Sequence, residues 1–64
     1  MVEINETADG FQVSTVNYRE TFVSKFKAIM AAHAVAMMHA AELRQSVSVT
    51  VPTGWGEAIV IEPN

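Results

Sequence analysis

The chain contains no cysteine, two prolines, three glycines and four basic residues. The absence of cysteine excludes disulfides, yet a chain of 64 residues buries only about 60% of its unfolded surface and usually needs added stabilisation. Self-association or a bound metal is then the remaining source of that stabilisation. A cysteine-free chain is also compatible with a reducing compartment, and we expect a cytoplasmic location.

Basic residues are scarce, since four lysines and arginines stand against seven acidic residues and give a net charge of −3. This balance disfavours binding to a phosphate backbone. A nucleic-acid-binding alternative would rest on Arg19, Lys25 and Lys27. Their directions scatter around the predicted helix, and no aromatic platform accompanies them.

Long apolar runs are also missing. The longest uncharged stretch, residues 28–41, is shorter than the roughly 20 apolar residues of a membrane helix. Glu3, Glu6 and Asp9 stand where a signal peptide would be basic and then apolar. We therefore expect neither a membrane partner nor a secretion signal.

Glycine and proline are absent from residues 17–44, a stretch rich in strong helix formers. Asn17 and Glu20 have the spacing of a capping box. Alternating patterns predict a hairpin of residues 1–5 and 11–16, and a second hairpin of residues 46–51 and 57–62. The predicted fold class is α+β with the order ββαββ: two β-hairpins form an antiparallel sheet packed on one long helix, in a single domain of residues 1–64.

The predicted helix carries a broad apolar stripe that we assign to the sheet. Its members are Tyr18, Phe22, Phe26, Ile29, Met30, His33, Met37, Ala40 and Leu43. Past Ala28 the remaining faces are apolar too, and a helix of about 42 Å exceeds the roughly 20 Å of a six-residue strand. These features predict a helix-mediated homodimer. The predicted interface residues are Ala28, Ala31, Ala32, Val35, Ala36, Met38, His39 and Ala40.

Two groups of side chains have the residue types for chemistry. Met30, His33 and Met37 share a helix face and form a soft set suited to Cu(I), here across a dimer, although methionines commonly fill core gaps and the core interpretation is favoured. His39 and Glu42 have the spacing to pair, but no nucleophile in a suitable turn accompanies them. We therefore predict no catalytic residue, no enzyme activity and no cofactor.

Trp55 lies between Gly54 and Gly56 in the predicted turn of the second hairpin. Because tryptophan is enriched at binding hot spots, Pro52, Gly54, Trp55 and Glu57 are the candidate protein-binding residues. In the alternative interpretation, the ring folds back and caps the small core.

Together these features favour a non-enzymatic protein-interaction module. It would be a dimeric regulator or inhibitor of another protein, of the size and composition that phages and other mobile elements encode. Binding of a soft metal and binding of a nucleic acid are the alternatives.

Overall fold

The computed structural model describes residues 1–63 and has an α+β fold, in which one helix packs on a five-stranded mixed sheet. The elements, in chain order, are β1 (Val2–Thr7), β2 (Gly10–Thr15), β3 (Tyr18–Phe22), α1 (Lys25–Leu43), β4 (Val47–Thr50) and β5 (Ile59–Ile61). The spatial strand order is β3-β2-β1-β4-β5. The predicted α+β class and the single helix are confirmed.

The first hairpin is confirmed. Strands β1 and β2 are antiparallel with Thr7 opposite Gly10, and the Thr7 hydroxyl accepts a hydrogen bond from the Asp9 amide at 3.2 Å. Gly10 has a φ of 144°, and a Cβ atom at this position would collide with the carbonyl oxygen of Phe22. Glycine is therefore required where β2 passes closest to the end of β3.

The predicted start of the helix at residue 17 is wrong. Tyr18–Phe22 forms the third strand, antiparallel to β2, with Thr15 opposite Tyr18. The helix begins after Ser24, whose side-chain oxygen accepts a hydrogen bond from the Lys27 amide at 3.3 Å. Tyr, Thr and Phe favour strands, and pairing with β2 satisfies the backbone groups that a helix would have satisfied internally. The helix ends at Leu43 and is capped by Arg44, which has left-handed backbone geometry with a φ of 54°.

The predicted purely antiparallel sheet is also wrong, because β1 and β4 are parallel, with Val2 opposite Val49. Parallel strands require a crossover connection, and α1 provides it between β3 and β4. The second hairpin is confirmed, since β4 and β5 are antiparallel with Val47 opposite Ile61. Its strands are shorter than predicted, so residues 51–58 form the connection.

The core lies between α1 and the sheet, and all of its buried side chains are aliphatic. They are Val2, Ile4, Val13, Ala28, Ala32, Ala36, Ala40, Val47 and Val49. The four alanines are 0–1% exposed, so this ridge is the face of α1 that contacts the sheet. Methyl side chains let the helix approach closely, while the valines and Ile4 of the strands fill the space.

Candidate protein-interaction surface

The side of α1 that points away from the sheet is apolar and exposed. Phe26, Met30, Met37 and Met38 are 77%, 70%, 52% and 62% exposed. We define the outer face of α1 as these four residues together with His33, Ala34 and Ala41, all of which are exposed. At about 100° per residue, Ala34, Ala41, Met30, Met37 and Met38 lie on the opposite side of the helix from the buried alanine ridge, and Phe26 and His33 lie on the adjoining flank.

The outer face is one continuous patch. Each member has another member three or four residues away, which makes their side chains neighbours on a helix. Single exposed apolar side chains are ordinary, whereas a contiguous apolar patch marks a surface that contacts another molecule. His33 is the only polar residue within it.

The assignment of the apolar stripe to the sheet is therefore wrong for Phe26, Met30, His33, Met37 and Leu43, all of which are exposed. The largest side chains of the helix point outward, and the smallest point to the sheet. The helix is apolar on both sides, so hydrophobic periodicity does not distinguish them. The feature of the sequence that indicates the sheet-facing side is the four-residue spacing of the alanines, because small side chains let a helix lie close to a sheet rich in Val and Ile.

The predicted dimer interface does not form one accessible surface. Ala28, Ala32, Ala36 and Ala40 are buried against the sheet of their own chain, so they are not available to a second chain. Ala31, Val35 and His39 are half-buried on the flank of α1, and Met38 alone is well exposed. The prediction is corrected for the four buried alanines because the sheet, and not a partner, covers them.

Charges at the two ends of α1 are arranged against the helix dipole. Lys25 and Lys27 lie in the first turn, which has no acidic residue, and Glu42 lies in the last turn, which has no basic residue. Each such charge costs about 0.3–1 kcal/mol at low ionic strength. Lys25 is directed to Trp55, with its Nζ atom 4.3 Å from the ring centroid, whereas Lys27 and Glu42 are exposed beside the outer face.

Trp55 folds back onto the core. Its ring is half-buried and lies 5.7 Å from the Phe11 ring, at an interplanar angle of 54°. The Trp55 amide donates a hydrogen bond to the Pro52 carbonyl at 3.1 Å. Of the other predicted binding residues, Pro52 is half-buried, while Gly54 and Glu57 are exposed. This connection caps the end of the sheet near the start of α1, away from the centre of the outer face.

The residues of the two alternative functions are placed differently. Met30, His33 and Met37 do share a face, but that face is exposed, so the favoured core interpretation is wrong. Among residues 1–63, no three or more His, Cys, Asp and Glu side chains cluster in the manner of a metal site. The three basic residues of the nucleic-acid alternative lie on separate surfaces. Arg19 is on β3, Lys25 lies against the Trp55 ring, and Lys27 is beside the outer face.

Two further features involve titratable groups. His39 and Glu42 line a shallow depression of about 380 Å³ together with Met1, Asn17 and other residues. Tyr18 donates a hydrogen bond to a carboxylate oxygen of Glu20 at 2.9 Å. Desolvation, followed by this hydrogen bond and the charge of Glu20, raises the pKa of the Tyr18 hydroxyl above its ordinary value.

The face of the sheet opposite α1 is polar. Gln12 and Ser14 on β2 lie on it, as do Ser48 and Thr50 on β4. Glu3 stands between Ser14 and Thr50 in the register. The molecule thus has one polar sheet face and one apolar helix face.

No helix in residues 1–63 combines the length and the hydrophobicity that crossing a bilayer requires. The chain matches no protein-family model, and no curated protein or solved structure is significantly similar to it.

Proposed function

We propose that this protein is a small interaction module that works by contact between proteins, and that the outer face of α1 is its contact surface. The single observation that carries the proposal is the exposure of Phe26, Met30, Met37 and Met38 on one continuous patch. Large apolar side chains exposed together are unfavourable in water, and a partner would remove them from it.

The composition of the patch supports a protein partner. Methionine is unbranched and adaptable, and it is over-used at binding surfaces that accommodate another helix. Full burial of a Phe or Met side chain is worth roughly 1.5–3 kcal/mol. Four such side chains supply a gross gain comparable to the several kcal/mol that association costs. We therefore expect weak binding, with the face acting as a contact surface and not as a core.

Site-specific photo-crosslinking tests this proposal. A photo-reactive phenylalanine analogue replaces Met30 on the outer face, and in a matched control it replaces Ser48, which is exposed on the polar sheet face. Both variants are expressed in the cells from which the chain comes and are then irradiated. We expect polypeptide adducts from position 30 and at least severalfold fewer from position 48.

The mass of the adduct identifies the partner. Adducts to another protein or to a second copy of this chain both support a protein-contact function for the outer face. Absence of adducts from position 30, or equal yields from the two positions, would contradict it.

A further inference from the structure

We propose that the outer face of α1 binds a second copy of this chain, with the two helices antiparallel and the two-fold axis passing near Ala34. This inference rests on the proposed function, because it names the partner of the same surface. It differs from the interface expected from the sequence, since the buried alanine ridge takes no part in it.

The outer face has the spacing of a helix-pairing seam. Positions 30, 34, 37 and 41 alternate steps of four and three residues, which is the a/d pattern of two packed helices. Ala34 makes the middle of this seam narrow, and Ala41 makes its C-terminal end narrow. Two copies can therefore approach closely at Ala34, while the flexible methionines on either side fill the remaining space.

The charges beside the seam select the antiparallel orientation. Lys27 and Glu42 lie seven and eight residues from Ala34 and on the same side of the seam, about 60° apart around the helix. With Ala34 at the two-fold axis, Lys27 of each chain faces Glu42 of the partner subunit. In a parallel pair, the two-fold axis would run along the helices and place the two copies of each charge on opposite sides of the seam, so Lys27 would not meet Glu42.

The same register matches the apolar residues. Met30 lies opposite Met37 of the partner subunit, and Ala31 lies opposite Met38 of the partner subunit, so a large side chain meets a small or adaptable one. Each Lys27 also lies beside the negative end of the partner helix dipole. This favourable interaction offsets the unfavourable one between Lys27 and the positive end of its own helix dipole. The arrangement of charges that is unfavourable in one chain is thus complementary between two chains.

The size of the face sets the expected strength. A helix of 19 residues is about 28 Å long and about 10 Å wide, so its face covers roughly 300 Å². Stable interfaces bury about 800 Å² on each partner. We therefore expect a dimer that dissociates at micromolar concentrations.

Sedimentation velocity of the full chain, from 1 to about 500 μM at low salt, tests the proposal. We expect a shift from the monomer mass to the dimer mass across this range. Ala34→Glu places two like charges at the two-fold axis and should keep the chain monomeric, while Ser48→Glu on the polar sheet face should leave the dimer intact. Circular dichroism verifies that each variant remains folded.

A charge exchange tests the orientation. Lys27→Glu and Glu42→Lys, made singly, should each weaken the dimer roughly three- to tenfold, and the double variant should restore the wild-type dissociation constant. In a parallel dimer neither single change would remove an attraction, so unweakened single variants would contradict the antiparallel register. A folded wild-type chain that is monomeric at 500 μM would overturn the second copy as the partner. If that monomer still forms adducts to another protein from position 30, the proposed function stands and only this inference fails.

Discussion

The four buried alanines show how single residues determine which side of α1 faces the sheet. Each is 0–1% exposed and contacts a layer of valines and Ile4. Replacing a methyl group by a larger side chain there would force the helix away from the sheet, since interiors are close-packed. Ala34 is two residues from both Ala32 and Ala36, which places it on the other side of the helix, and it is exposed to solvent. Position around the helix, and not residue type, therefore decides what each alanine does.

Tyr18 provides a prediction at the scale of one hydroxyl group. It is the only tyrosine, so the absorbance of phenolate reports its ionisation directly. Burial and the neighbouring Glu20 carboxylate both favour the protonated form, and its pKa in the folded chain should lie above 10.0. Glu20→Gln should lower this pKa only in part, because desolvation is the larger cause.

The same shift predicts the sign of a pH dependence. A raised pKa means that the folded chain holds the proton more tightly than the unfolded chain. The resulting stabilisation is complete below pH 10 and is lost as the pH rises through the folded pKa. Tyr18→Phe should abolish this part of the alkaline loss of stability. A phenolate titration midpoint at or below the ordinary value would contradict the contact with Glu20.

At the scale of elements, the sequence predicts those whose pattern is local. Val2 and Ile4, and also Val47 and Val49, alternate with polar residues, and all four are buried as the period of two predicts. Strand β3 could not be predicted in this way. Its residues lack a helix breaker and have a capping-box spacing, and what makes them a strand is their pairing with β2 across a two-residue turn, Val16-Asn17, that carries no glycine to signal it.

The same distinction between what a local pattern shows and what tertiary contacts decide applies to the predicted site residues. Trp55 was identified from its residue type and its glycine neighbours, but its contact with Phe11 depends on where β2 lies relative to the second hairpin. The exposure of Phe26 and Met30 likewise follows from which side of the helix meets the sheet. Residue types are visible in the sequence, whereas the contacts that bury or expose them are made by distant elements.

The connection between β4 and β5 supplies a prediction at this scale. Trp55→Ala removes a half-buried ring that contacts Phe11 and the Lys25 ammonium group. We expect a loss of about 2 kcal/mol in the free energy of unfolding, roughly half the cost at a fully buried site. Thr53→Ala, an exposed change in the same connection, should stay within about 0.5 kcal/mol. Urea denaturation followed by circular dichroism measures both, and an unchanged stability for Trp55→Ala would favour a ring free to bind a partner.

The whole molecule has a thin core and two unlike faces. The largest fully buried side chains are Ile4, Val2 and Val13, and no large aromatic residue is among them. The aromatic and methionine side chains that would usually enlarge a core are instead half-buried or exposed. A monomer built in this way has a small free energy of unfolding. The most direct way to bury more apolar surface is to cover the outer face of α1.

This distribution of apolar surface makes thermal stability depend on protein concentration. If two copies cover each other's outer faces, association stabilises the folded chain by mass action, and unfolding must first separate the pair. Above the dissociation constant, a tenfold rise in concentration adds about 0.7 kcal/mol for each chain, or about 3–5 °C in Tm for a domain of this size. Calorimetry at several concentrations measures this shift. Ala34→Glu should have a Tm that does not vary with concentration, and a wild-type Tm equally independent of concentration would mean that the outer face is not covered by a second copy.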